Sequence, residues 1–207
     1  MFTDEKLSYI EHTIGIEHPN NTYSTPVSLP SGGKYFVFIS FQPQDAYGVT
    51  FTKTIEVEGN PSSTFSKEKN ILESSSDGIA SRLTTVGDKF ITGVLSMGFI
   101  SLTSKGHSLD SSTIQNQYGY KAHLFLIGSA TKEYFHIYPE IGKDRFEFHV
   151  FFKKADRYQG RLMVMIKKKL HTFLLTINVL EGSTEEIKKL NDSHSDFHTS
   201  KTASTRN

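Results

Sequence analysis

The sequence contains no cysteine and no tryptophan, and its formal net charge is only +1. Without cysteine the chain cannot form disulfides or thiolate metal sites, which fits a reducing compartment. No stretch approaches the roughly 20 uninterrupted apolar residues that a membrane-spanning helix needs. The first residues, MFTDEKLSYIEH, also lack the basic and apolar regions of a secretion signal, so we expect a protein that is not exported.

Aromatic residues are plentiful, and the 16 phenylalanines and 9 tyrosines can fill one sizeable core in a chain of 207 residues. Residues 1–33 are mildly acidic and end in Pro26, Pro30 and a Ser-Gly-Gly run, which predicts a flexible N-terminal arm. We predict a single core domain over residues 34–190. The polar remainder, residues 191–207, is predicted to be a disordered tail.

Apolar patterning predicts strands in both halves of the chain. Residues 34–41, KYFVFISF, are nearly all apolar, which indicates a strand covered on both faces. Residues 47–58 alternate between apolar and polar, which is typical of a half-exposed antiparallel strand. Further strands are predicted at residues 120–127, 134–138, 145–152, 161–166 and 171–179.

Two segments favour helices. Apolar residues spaced by three and four occur at Ile79, Leu83, Val86, Phe90, Val94 and Met97 after possible N-caps, which predicts an amphipathic helix with a break near Gly87. Residues 101–117 are predicted to form a polar loop. Ser183 and Glu186 have the spacing of a capping box, which predicts a short helix over 183–190. The predicted class is therefore α+β, a single domain whose antiparallel β-sheet carries amphipathic helices packed on one side.

Positive charge is concentrated in residues 143–169, which contain nine basic residues and three acidic ones. The basic residues are Lys143, Arg145, Lys153, Lys154, Arg157, Arg161, Lys167, Lys168 and Lys169. We predict that they bind phosphates of anionic lipid or RNA. A hairpin of the strands 145–152 and 161–166 would place the lysine groups near its opposite ends, so they need not form one patch. Equally, these lysines could simply protect a sheet edge.

No motif points to catalysis. His194 and His198 have a spacing that would suit a metal on a helix, but without further ligands a solvated tail is the better interpretation. Residues 31–34 lack the first glycine and the final hydroxyl residue of a phosphate loop. No nucleophile motif is present. We therefore predict a non-enzymatic protein with no cofactor and no metal site.

The order of elements resembles a rhabdovirus matrix protein. The resemblance rests on the arm, on KYFVFISF, on the apolar stretch DKFITGVLSMGFISLTSKG, on the aromatic strand YGYKAHLFLIG, and on FEFHVFFKKADRYQGRLMVMI near the C-terminus. It covers about residues 34–180. The chain lacks the basic arm and the Pro-Pro-x-Tyr motif of animal-virus matrix proteins, which fits a divergent plant or arthropod virus assembling on internal membranes.

The resemblance implies a structural protein that self-associates through its arm and links the viral nucleoprotein–RNA to an anionic membrane and the envelope glycoprotein during assembly and budding. It implies a location in the virion, in the host cytoplasm, peripherally at the inner membrane, or in the host nucleus. Two alternatives remain. Tyr158 with Arg157 and Arg161 could stack bases, which would suit a viral nucleic-acid-binding accessory protein such as a silencing suppressor or movement protein. The strand content would suit a β-rich capsid protein.

Overall fold

A computed structural model describes residues 1–41, 43–45, 48–61, 71–142 and 144–190. The described part of the chain is mostly β-strand and divides into two compact units, Met1–Glu68 and Lys69–Asn207. In these ranges no helix has the length and apolar character needed to cross a lipid bilayer.

The first unit is built around a four-stranded antiparallel sheet. The strands of the unit are β1 (Phe2–Asp4), β2 (Ile10–Glu11), β3 (Ile16–Glu17), β4 (Tyr23–Ser24), β5 (Gly33–Phe41) and β6 (Val49–Val57). The sheet has the order β2-β1-β5-β6, and β3 pairs separately with β4. The predicted strands at 34–41 and 47–58 are confirmed as β5 and β6. However, β5 is not covered on both faces along its length, because Phe41 is 50% exposed. The predicted half-exposed character of β6 is also wrong, because most of its residues are exposed, including Phe51 at 56%.

Residues 1–33, which we predicted to form an arm, contribute four strands to this unit. β1 lies inside the sheet, between β2 and β5. The terminal amine of Met1 donates to the carbonyl of Phe38 at 2.8 Å, and Leu7 is only 1% exposed. The structure divides the chain after residue 68 rather than after residue 33. The predicted tail, residues 191–207, lies outside the described residues.

Within its described residues the second unit contains twelve strands. They are β7 (Glu73–Ser76), β8 (Ile79–Thr85), β9 (Phe90–Ile91), β10 (Leu95–Ser104), β11 (His107–Ser108), β12 (Ile114–Gln115), β13 (Ala122–Gly128), β14 (Tyr134–Ile137), β15 (Glu140–Ile141), β16 (Arg145–Phe151), β17 (Asp156–Ile166) and β18 (Lys169–Leu180). A 3-10 turn spans Ser111–Thr113, and a helix, α1, spans residues 184–190.

These strands form two sheets that share one hydrophobic core. The first sheet has the order β15-β16-β10-β8-β7, with β11 on β10; the second has the order β14-β13-β17-β18-β9, with β12 on β17. The core cluster takes side chains from both sheets, such as Phe146 and Phe148 of β16 and Leu162 and Phe173 of the second sheet. Period-two alternation along β16 and β17 places these residues on one face. The unit is therefore a β-sandwich.

The predicted α+β class is wrong, because the segment expected to form an amphipathic helix forms β8, β9 and the start of β10. Along β8 the buried and exposed residues alternate. A spacing of four, as between Ile79 and Leu83, fits a strand as well as a helix, since four is a multiple of the strand period. Gly87 and Gly93 have φ of +77° and +79°, which helices do not accommodate. The loop predicted at 101–117 is also wrong, since it contains the end of β10, β11 and β12.

The strand predictions of the C-terminal half are confirmed as β13, β14, β16, β17 and β18. The short terminal helix is confirmed too: the Ser183 amide donates to Glu186 Oε2 at 3.0 Å, and the Glu186 amide donates to Ser183 Oγ at 3.3 Å. The hairpin predicted between 145–152 and 161–166 is wrong. β16 pairs with β10 and β15, whereas β17 pairs with β12, β13 and β18 in the other sheet.

Candidate anion-binding site

Among the described strands of the β-sandwich, three hairpins close through two-residue turns. The turn residues are Asp77–Gly78 between β7 and β8, Lys105–Gly106 between β10 and β11, and Lys167–Lys168 between β17 and β18. All six residues have positive φ. This is the backbone conformation of a type I′ turn, whose twist matches that of the strands it joins.

The pairing registers bring these three turns to one end of the sandwich. Ile79, which follows the first turn, pairs with Ser104, which precedes the second. The third turn joins them through the Lys169 ammonium, which lies 3.1 Å from Asp77 Oδ1. Turns from both sheets therefore meet at this end.

Four lysines are exposed at this end of the sandwich, and we call them the lysine end: Lys105, Lys167, Lys168 and Lys169. Lys169 is paired with Asp77 and holds the pKa of that carboxyl below its usual range. Within the described ranges the other three lysines form no ion pair with a carboxylate. The lysine end therefore presents a net positive charge to solvent.

Lys167 and Lys168 are unusual residues for the turn they form. Their φ angles are +50° and +64°, a region in which residues other than glycine lose roughly 1–2 kcal/mol each. Asn-Gly and Asp-Gly are the preferred pairs, and Asp77–Gly78 follows that preference in the neighbouring turn. Two adjacent lysines are thus placed where local backbone energetics disfavour them. Strain of this kind is commonly found at functional sites.

Hydrogen bonding and burial hold this turn in place. The Lys168 amide donates to the Gln115 side-chain oxygen at 2.6 Å, which ties the turn to β12. On the strands that flank the turn, Ile166 is 3% exposed and His171 is 5% exposed. The lysine side chains therefore extend from a turn whose position is fixed by the core.

The other predicted basic residues lie elsewhere. Lys153 and Lys154 are exposed in the connection before β17, at the opposite end of that 11-residue strand, roughly 33 Å from the lysine end. Carboxylates lie close to this connection: Glu133 accepts from the Tyr158 hydroxyl, and Asp156 accepts from the Thr131 amide at 2.8 Å. The local charge there is correspondingly more balanced.

Three of the predicted arginines lie on strands. The Arg145 guanidinium lies over the Phe99 ring, 4.0 Å from its centroid. Arg161 is half-buried in the middle of β17, and Arg157 is half-buried near its start. Lys143 lies outside the described residues. The eight described residues of the predicted set thus do not form one patch: Lys167, Lys168 and Lys169 lie together at one end of β17, and Lys153 and Lys154 lie at its other end.

Sequence reasoning missed Lys105, the fourth member of the lysine end. It lies in a region predicted to be a loop, and only the pairing of β8 with β10 places it beside the others. The Lys-Gly pair at 105–106 is a turn signal, but a turn signal alone does not locate the turn in space.

Comparison with known proteins gives one match. A family model described as "Domain of unknown function (DUF8832)" matches residues 74–181, which cover most of the β-sandwich and more than half of the chain. No curated protein and no solved structure matches the chain. The family description gives no function. On the extent of this match, the chain belongs to the DUF8832 family.

Proposed function

We propose that this protein is a non-enzymatic structural protein that binds anionic membrane surfaces peripherally through the lysine end. The observation that carries the proposal is the placement of Lys167 and Lys168 side by side in a turn that disfavours them. Lys105 and Lys169 extend the same charged surface. The tight turn itself does not require lysine, since Asn-Gly is the preferred pair for this turn type.

The expected binding energy follows from the charges. Each exposed basic side chain near an anionic membrane contributes about 1 kcal/mol. The four lysines supply about 4 kcal/mol, and Asp77 beside Lys169 offsets part of that, leaving about 3 kcal/mol. The charges must reach the surface together, because the attraction decays over about 8 Å at physiological salt. A common end of the sandwich meets this requirement.

An apolar side chain adjoins the lysines. Leu170, next to Lys169, is 39% exposed. Burying part of a leucine in the headgroup region adds favourable free energy at about 25 cal/mol per Å². A leucine offers RNA no comparable gain, since bases bind by stacking on aromatic rings. This combination of basic and apolar side chains favours a lipid surface.

The wider role remains the one predicted from the sequence: a matrix-like protein that self-associates and links nucleoprotein–RNA to the membrane and envelope glycoprotein in a virion. The sequence resemblance supports this role, but it covers a smaller part of the chain once the structure is known. Residues 88–106, which the resemblance takes as helical, form β9 and β10. The membrane-binding step therefore rests on the lysine end, and the remaining steps rest on the sequence pattern alone.

Flotation with phosphatidylcholine vesicles, with and without phosphatidylserine, tests the proposal. We expect the double variant Lys167→Gln/Lys168→Gln to lose about 2 kcal/mol, a roughly 30-fold drop in partitioning onto the anionic vesicles. The matched control, Lys153→Gln/Lys154→Gln, removes the same charge from the opposite end and should bind almost as well as the wild type. Binding of the wild type should also weaken as salt is raised.

Two results would overturn the proposal. Equal losses in both double variants would mean that net charge, rather than the lysine end, drives binding. Tight RNA binding without flotation would favour the nucleic-acid-binding interpretation instead.

A further inference from the structure

A pair of histidines lies on the second sheet of the sandwich, apart from the lysine end. His123 belongs to β13 and His136 to the adjacent strand β14, with Phe125 and His136 directly opposite each other. The two histidines are therefore diagonal neighbours on one face, close enough for long side chains to touch. His123 Nδ1 lies 3.2 Å from His136 Nε2.

The proton positions on His123 follow from its second hydrogen bond. Its Nε2 lies 2.8 Å from the carbonyl oxygen of Gln117. A carbonyl can only accept, so Nε2 carries the hydrogen and the lone pair of neutral His123 is on Nδ1. That lone pair faces His136. A ring nitrogen bonded to a backbone carbonyl is also the arrangement that orients metal-binding histidines, because it fixes the tautomer.

The distance between the two nitrogens suits a metal ion. Two imidazole nitrogens bound to tetrahedral zinc at 2.0–2.1 Å are about 3.4 Å apart. The observed separation of 3.2 Å is close to that value. When its Nε2 binds the ion, His136 would carry its hydrogen on Nδ1. Metal binding would therefore set the tautomer of His136 without changing the net charge of either ring.

The surroundings favour the neutral imidazole that a metal requires. His123 is 2% exposed, and its burial lowers its pKa. Tyr120 and Tyr138 stack on each other with ring centroids 3.6 Å apart, and both rings lie within 6.0 Å of the His123 ring. These tyrosines are 44% and 41% exposed, so the pair lies beside side chains that reach the surface.

We propose that His123 Nδ1 and His136 Nε2 bind a divalent transition metal ion, with Zn²⁺ as the first candidate. Imidazole suits zinc, copper and nickel. The two histidines occupy two of the four tetrahedral positions, which leaves the others to additional donors or water. This site differs from the sequence-based prediction of no metal, and it is independent of the lysine end.

Calorimetric titration of the tag-free, chelator-treated full chain with ZnCl₂ tests the site. We expect saturable binding of one ion that is weakened at least 10-fold by His136→Asn, since even losing a supporting hydrogen bond weakens metal sites by about that much. Two controls should keep wild-type affinity: His107→Asn, which changes an exposed histidine, and the tail variant His194→Asn/His198→Asn, which removes the other closely spaced pair.

A second measurement uses the wild type alone, so it does not depend on a variant that folds. In ¹⁵N spectra of the histidine rings, one equivalent of Zn²⁺ should shift His123 Nδ1 and His136 Nε2 and leave His107 unchanged. Unshifted His123 and His136 nitrogens would overturn the proposal. So would zinc binding that survives His136→Asn, or that disappears in the tail variant.

Discussion

Replacing Lys167–Lys168 by Asn-Gly should stabilise the β-sandwich and weaken its binding to anionic membranes at the same time. Both residues have left-handed φ angles, which Asn and Gly adopt more readily than lysine does. The hydrogen bond that anchors the turn uses the backbone amide of residue 168, so glycine keeps it. The substitution changes the strain and the charge while leaving the anchor intact.

The expected gain in stability follows from the backbone strain that is relieved and from the added freedom of the unfolded chain. A non-glycine residue in the left-handed region costs roughly 1–2 kcal/mol, and the two lysines together cost roughly 2–4 kcal/mol. Asparagine removes part of this strain, and glycine removes its share but loses about 0.5–1 kcal/mol through the greater freedom of the unfolded chain. A net gain of about 1 kcal/mol is expected. For a unit of this size that corresponds to an increase of roughly 3 °C in Tm.

Urea unfolding followed by circular dichroism measures the stability, and vesicle flotation measures the binding. We expect the urea midpoint to rise and partitioning to fall by about 30-fold, as for the loss of any two lysines from this end. Lys105→Asn is the matched comparison, since it relieves only one strained lysine beside Gly106 and should give a smaller gain. An unchanged or lower midpoint for the Asn-Gly variant would refute the claim that the lysines are held against backbone preference.

Two further predictions concern the core and the terminal helix. Gly98→Ala should destabilise the sandwich by about 1–3 kcal/mol in urea unfolding, because a Cβ at this position would lie 2.2 Å from the Phe148 ring. A stability equal to wild type would show that the ring can move aside. Lys89 lowers the pKa of Glu186 to about 2. The carboxylate therefore stabilises the folded state fully above its unfolded pKa of about 4.3, and this stabilisation is lost as the pH falls toward 2. Amide NMR signals of residues 184–190 should therefore shift between pH 5 and about 2, and Glu186→Gln should remove that transition; its persistence would assign the transition to another group.

Apolar strand patterning predicted five of the twelve strands described in the second unit: β13, β14, β16, β17 and β18. In β16, Phe146, Phe148 and Val150 are buried while Arg145 and His149 face outward, and this alternation is visible in the sequence. Capping chemistry likewise predicted the terminal helix, because the two side chains that form the box are only three residues apart. Signals confined to a few neighbouring residues can be recognised without knowing the rest of the fold.

Predictions that depended on which strands pair were less successful. The helix expected at 79–97 failed because a four-residue spacing of apolar positions is shared by helices and strands, and the sheet that decides between them is formed by distant strands. The hairpin of β16 and β17 failed for a related reason. Consecutive strands usually pair, but here the chain crosses from one sheet to the other between them.

The same limit applies to the two sites. Lys167, Lys168 and Lys169 are adjacent in sequence, so their charge cluster could be predicted, whereas Lys105 joins them only through the register of β8 with β10. His123 and His136 are 13 residues apart on different strands, and no spacing rule for helical or thiolate metal sites connects them. A ligand pair of this kind becomes visible only once the strand pairing is known.

The residues that fix the core also fix the lysine end. A shift of one residue in the pairing of β17 with β18 would turn Leu162 and Phe173 away from the core, so the register is strongly specified. That register closes the hairpin at Ile166 and Lys169, which leaves only residues 167 and 168 to form the turn. The two lysines cannot relax into a longer loop without disrupting the core. Their strained conformation is therefore imposed by the sandwich, and their side chains can change without altering the residues that hold it together.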